Sequence, residues 1–202
     1  MLKHPYDRLR HCALVAVTAA AGLLGCSATA PPTADRAGND HSLLALTDAA
    51  AQRVLLADSV AAAKWGTAAP INDPVREKAV LDAAVAKATQ LGVDPMFARV
   101  VFTDQIEANK AVQNGLYSQW RAHPDRAPTT RPDLGQVRPI LDRITDQLLV
   151  DLKVTVQIRT EPSCAGQLTA TRHRVEHTRH LDPLHEGALT RALSSLCRER
   201  PR

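Results

Sequence analysis

Along the chain, apolar residues recur at helical spacing in several long stretches. Over residues 41–65, Leu46, Ala50, Arg53, Ala57, Val60 and Lys64 step by four, three, four, three and four, which puts them on one face of a helix. That face is apolar except for Arg53 and Lys64. A second helix is predicted from Pro74, with Asp73 before it and Gly92 ending it. Asp94 and Pro95 open a third, in which Phe102, Ile106, Asn109, Gln113, Leu116 and Trp120 repeat the same stepping. Its stripe is interrupted by Asn109 and Gln113. After a proline-rich loop, a fourth helix is expected to about residue 159, with the short "KVTVQI" read as part of it. Pro139 restricts the residue before it, so Arg138 is expected to start this helix rather than lie within it. "TEPSCAG" reads as a turn, residues 167–179 as a further helix, and "LDPLHEGALTRALSSLCRER" as one more helical segment.

Composition agrees with this pattern. The chain has 202 residues, 45% apolar, with 3% aromatics and 9 glycines. Alanine is abundant. Together these predict an all-α fold, a bundle of about six helices around one core. The net charge of +4 is spread among interspersed acids and bases. A nucleic-acid partner is not indicated, because no basic block with stacking aromatics is present.

The first 26 residues read as an export signal. Lys3, Arg8 and Arg10 precede the apolar run "CALVAVTAAAGLLG", which is too short to span a membrane. Two processing sites compete. Leu23-Leu24-Gly25-Cys26 resembles a bacterial lipobox, with Cys26 as the lipidation site. Ala28-Thr29-Ala30 resembles an ordinary cleavage site, but it would leave Pro31 first. The expected product is exported, either as a membrane-anchored lipoprotein or as a free periplasmic or secreted protein. Contact with the membrane would be through the lipid alone. Residues 27–41 are small, polar and proline-containing and read as a tether, with residues 42–202 as the folded domain.

Cys12 leaves with the signal and Cys26 is lipidated or also lost, so Cys164 and Cys197 remain as an even pair in an oxidising compartment, expected to form a disulfide. The alternative is a metal site, because His173, His177, His180 and His185 lie between them. Arg172, Arg174 and Arg179 in "RHRVEHTRH" would repel a cation, which favours a solvated basic face, and neither metal nor cofactor is expected.

Three helices therefore carry polar groups where a core should be: Arg53 and Lys64; Asp73, Arg76 and Glu77; Asn109 and Gln113. Unpartnered burial would cost about 1–3 kcal/mol per polar group, and more for a bare charge. A polar pocket inside the bundle accounts for all three. Its inventory is cationic, with Arg138 as a further candidate. It lacks a Ser-His-Asp arrangement or a glycine-rich phosphate loop. The ligand class that suits it is a small anion with more than one negative group.

The spacing of Arg53 to Lys64, the "DPVRE" turn and the Asn109/Gln113 pair resemble the all-helical chorismate mutases. "AAAQRVLLADSVAAAKW", "VFTDQIEANKAVQ", the Cys164–Cys197 spacing and "RHLDPLHEGAL" are similar to the exported gamma subclass. The resemblance implies an isomerase that converts chorismate to prephenate without a cofactor or covalent intermediate. It implies Lys64 and Gln113 as donors to the ether oxygen, and Arg53 and Arg138 as carboxylate ligands. Arg76 would orient the site, Glu77 would accept from the ring hydroxyl with Asp73 nearby, and Asn109 would touch a carboxylate. Val80 fills a place where some gamma relatives carry a hydroxyl ligand. The alternative is a non-catalytic exported lipoprotein that kept the fold and binds an anion or a partner helix. The oligomeric state is left open, with a homodimer among the options.

Overall fold

The computed structural model describes residues 33–197. The expected signal segment 1–26, including Cys26, lies outside the described residues, as does the first part of the expected tether. Six α-helices follow in order: α1 Thr33–Lys64, α2 Pro74–Leu91, α3 Pro95–Ala122, α4 Leu134–Val154, α5 Cys164–Arg179 and α6 Pro183–Ala192. Two single 3₁₀ turns, Pro124–Arg126 and Ile158–Thr160, interrupt the connections, and the described residues contain no strand.

The local reasons for these boundaries are visible in the caps. Asp73 Oδ1 accepts the Arg76 N–H at 3.0 Å, and Asp94 Oδ1 accepts the Met96 N–H at 2.9 Å, each ahead of a proline at the first helical position. Gly92, at φ 73°, ends α2 in the left-handed region that glycine occupies without strain. His180 does the same for α5 at φ 51°.

Three boundaries differ from the sequence reading. α1 begins at Thr33, so helix takes in residues 33–41, which composition assigned to the tether. Ala34, Arg36 and Ala37 are good helix formers, which short-range composition rules overlook. α4 stops at Val154, where β-branched residues gather and the Thr155 hydroxyl turns back to Asp151 O at 2.9 Å. "KVTVQI" is therefore a helix end and a turn, not continuing helix. The third difference concerns Arg138. α4 starts at Leu134, one turn before the expected place, because Asp133 caps it through Gly135 N at 2.7 Å. Arg138 thus lies inside the helix, and Pro139 is accommodated near its start at the loss of one main-chain bond.

α1 is the central element, packed against α3, α4, α5 and α6. The larger core cluster joins Leu46, Phe102, Leu148, Leu149, Leu152 and Leu189. A second, around Val54, Ala57, Ala108, Val112 and Ala188, lies on the α1–α3–α6 side. The many buried alanines let helix backbones approach closely. At Gly115 a Cβ would sit 2.5 Å from Leu184 Cδ1, so a larger residue there would force the Leu184 side chain to shift. Each buried leucine contributes about 1.5–3 kcal/mol. Cys164 and Cys197 are bonded, tying the start of α5 to the chain after α6. Closing a loop of that length contributes roughly 3–4 kcal/mol. Among the described residues no helix is long and apolar enough to cross a membrane.

Candidate active site

Arg53, Lys64, Asp73, Arg76, Glu77, Asn109, Gln113 and Arg138 all line one cavity of about 150 Å³. Four helices and the loop before α2 bring them together. The stripe on α1 supplies Arg53 and Lys64, three turns apart. The opening turn of α2 supplies Arg76 and Glu77, α3 supplies Asn109 and Gln113, and α4 supplies Arg138.

The site has a gradient of depth. Arg53 and Gln113 are buried, 7% and 3% exposed, so they form the floor. Lys64, Glu77 and Asn109 are half-buried, while Arg76 and Arg138 are exposed at the mouth. A ligand entering would therefore meet solvated guanidinium groups first and desolvated ones last. Interactions at the floor are worth more, because the local dielectric is lower there.

Arg53 is held from α4. Its Nη1 donates to Thr145 Oγ1 at 2.6 Å and to Leu141 O at 3.2 Å, and its Nε is buried without a partner. The guanidinium carbon also lies 5.7 Å from the centre of the Phe102 ring. Burial lowers its pKa to about 10, against a smaller opposing pull from Asp142, so it is still cationic at neutral pH. A buried cation with an unused N–H is a poor structural choice but a suitable anion receptor.

Lys64 Nζ donates to Pro70 O at 2.9 Å, which keeps the ammonium at the end of α1 and leaves two N–H groups for a ligand. Burial pulls its pKa below the usual lysine value; Asp73 opposes this, Arg138 adds to it and Glu77 opposes it. Gln113 Nε2 donates to Asn109 Oδ1 at 2.7 Å, and Gln113 Oε1 is buried with no partner. Asn109 is tied back to α1 through Arg53 O at 3.4 Å. Glu77 Oε1 accepts the Asp73 N–H at 3.2 Å, so this pair is both a helix cap and part of the cavity wall.

Three charged or polar wall residues were not singled out from the sequence: Lys110, Asp142 and Thr145. The signal for them existed. Ile106, Asn109, Lys110 and Gln113 follow the i, i+3, i+4, i+7 rule, and so do Arg138, Leu141, Asp142 and Thr145. The second set becomes visible only once Arg138 is known to lie within α4.

The histidines do something other than line a site. His185 is buried between Asp182, at 2.8 Å from Nδ1, and Asp58 on α1, at 2.8 Å from Nε2. His173 bonds Glu176 Oε2 at 3.1 Å, and Arg179 grips Asp48 with two hydrogen bonds. The "RHRVEHTRH" face is thus only partly solvated, because Arg179 and Glu176 are drawn into interhelical and intrahelical pairs. Among the described residues, no group of three His, Cys, Asp or Glu side chains is arranged to hold a metal ion.

Fold and site together define an all-helical bundle with a cavity in its core whose lining carries more cationic than acidic side chains. The sequence profile of the family described as chorismate mutase type II matches residues 43–114. The chain is 36% identical to a secreted chorismate mutase of Mycobacterium tuberculosis over 179 residues, 89% of this chain and 90% of that one. It is 35% identical to the secreted chorismate mutase of Mycolicibacterium smegmatis, over 92% of this chain and all of that one. Among solved structures, a chorismate mutase from Burkholderia thailandensis superposes with a TM-score of 0.74 at 39% identity. That match covers 77% of this chain and 99% of the other. The chain belongs to the chorismate mutase family, as an exported, all-helical member.

Proposed function

We propose that the protein isomerises chorismate to prephenate inside this cavity, by a pericyclic step in which a C–O bond breaks as a C–C bond forms. The observation that carries the reading is the convergence of Arg53, Lys64, Arg76 and Arg138 with Gln113 and Glu77 on one cavity of about 150 Å³. Arg53 at the floor and Arg138 at the mouth grip the two carboxylates. Arg76 orients the site and adds positive potential, and Asn109 contacts a carboxylate. The developing negative charge on the ether oxygen is met by Lys64 Nζ and by Gln113 Nε2, which exchanges its bond to Asn109 Oδ1 for one to the substrate. Glu77, with Asp73 beside it, accepts from the ring hydroxyl.

No covalent intermediate is needed. Catalysis comes from binding the folded conformer and from donors aimed at charge that appears only in the transition state. A rate gain of roughly 10⁶ requires about 8 kcal/mol. Two pre-oriented donors at about 3–4 kcal/mol each, plus conformer selection, are of that size.

The test is to add chorismate to purified mature protein and follow the loss of its absorbance. Lys64→Ala is expected to lower kcat by orders of magnitude while the protein stays folded, because its charge counts most in the transition state. A wild-type protein that binds chorismate without consuming it would favour the non-catalytic reading. We further propose that residues 1–26 direct export and that Cys26 carries the lipid. Mass analysis of the mature N-terminus distinguishes this from cleavage after Ala30.

A further inference from the structure

Lys110 lies one residue beyond Asn109 on α3 and lines the same cavity, yet the roles above leave it unused. Its ammonium bridges two carboxylates: Glu77 Oε2 on α2 at 3.2 Å and Glu107 Oε1, one turn earlier on α3, at 2.5 Å. The other oxygen of Glu77 accepts the Asp73 N–H at 3.2 Å. Each Glu77 oxygen therefore has a fixed partner on a different side, one from its own helix cap and one from the facing helix. Lys110 itself is only 16% exposed. Glu107 first, and Glu77 after it, hold its pKa above the usual lysine value, so it carries its charge at neutral pH.

A carboxylate in a cavity meant for a dianion is an electrostatic liability. Glu77 alone would repel the substrate's carboxylates, and with only the Asp73 N–H to hold it, its side chain could rotate away. Lys110 offsets the Glu77 charge, and Arg191 Nη2, 3.8 Å from Glu107 Oε2, faces the second carboxylate that Lys110 bridges. Each oxygen keeps a further lone pair to accept an O–H. We infer that Lys110 is a positioning residue: it fixes Glu77 for the substrate's ring hydroxyl and offsets its charge toward the substrate's carboxylates. The inference rests on the role proposed for Glu77.

The experiment is a double-mutant cycle on kcat and KM for chorismate, using Lys110→Met, Glu77→Gln and the double variant, with Lys110→Arg and Glu107→Gln alongside. Lys110→Met is expected to lower kcat/KM roughly 10- to 100-fold, with KM raised as well as kcat reduced. Lys110→Arg should restore it to within about fivefold, and Glu107→Gln should stay close to wild type, because neither breaks the clamp on Glu77. In the Glu77→Gln background, Lys110→Met should cost about twofold at most. Melting temperatures separate folding from function, and Lys110→Gln replaces the Met variant should the latter fail to fold. An equal loss in both backgrounds, or no loss in either, overturns the inference. A fully active Glu77→Gln overturns the role of Glu77 itself, and the inference with it.

Discussion

Arg53 Nη1 on α1 donates to Thr145 Oγ1 on α4 at 2.6 Å, bridging two residues 92 positions apart. The same hydroxyl donates its own proton to Leu141 O at 2.8 Å, which turns its lone pairs toward the guanidinium. Arg53 is thereby fixed at the floor of the cavity before any ligand arrives. A flexible arginine would have to lose its rotamer freedom on binding, at a cost of up to about 2 kcal/mol.

Thr145→Val should therefore weaken kcat/KM by roughly 10- to 100-fold, the size of a hydrogen bond to a charged group. Thr145→Ser should keep most of the activity. The check is steady-state kinetics on both variants, with melting curves to show that each is folded. Equal activity in the valine variant would mean that Leu141 O alone holds Arg53.

Lys64 sets the alkaline limit. Burial lowers its pKa in the protein alone, so the charged form is lost as pH rises through a value below that of ordinary lysine. A bound dianion restores the charge, since nearby negative groups favour the cation. The plot of kcat/KM against pH should thus fall at lower pH than the plot of kcat. Coincident alkaline limbs would show that Lys64 is not the titrating group.

Gln113 does not titrate, so its donation to the ether oxygen should be constant across the neutral range. Gln113→Glu must carry a proton to donate. It is expected to be impaired at neutral pH and to recover partly in acid. The measurement is turnover against pH for both proteins, and a glutamate variant fully active at pH 8 would exclude Gln113 as the donor.

His185 couples stability to pH. The hydrogen bond that His185 donates to Asp58 raises its pKa, burial opposes this and Asp182 assists, with a net value of about 9 against 6.5 for a free histidine. The folded-state pKa is the higher one, so the stabilisation is complete below about pH 6.5 and is lost as pH rises through about 9. Asp58 and Asp182 are about half exposed, and solvent screening reduces the effect. His185→Gln should lower the melting temperature at pH 6 by a few degrees, corresponding to roughly 1–2 kcal/mol. It should also flatten the decline between pH 6.5 and 9.5. An unchanged pH slope in the variant would assign the decline elsewhere.

Much of the bundle was legible in the chain because its signals are local. Asp73-Pro74, Gly92 and Asp94-Pro95 mark helix ends through their own backbone chemistry, and all three mark them in the structure. The stripes through Arg53 and Lys64, and through Asn109 and Gln113, were readable because a helix converts sequence spacing into a face without reference to the rest of the molecule. Polar groups on those faces implied a polar cavity, since their burial without one is costly. Two of the three boundaries that differed are those where opposed local preferences compete, at Pro139 and in the β-branched residues after Lys153.

The tertiary structure decided what no spacing contains. The distance from Arg53 to Thr145 and the choice of Glu77 rather than Asp73 as partner for Lys110 depend on how helices pack. So does the placing of His185 between Asp58 and Asp182. The interhelical contacts among these join residues 33 to 127 positions apart. Sequence alone determined which residues had to face inward, because helical periodicity is intrinsic to the backbone. Packing determined which of them meet, because a side chain's partner is set by the rotation and register of a neighbouring helix, and many buried contacts fix those together.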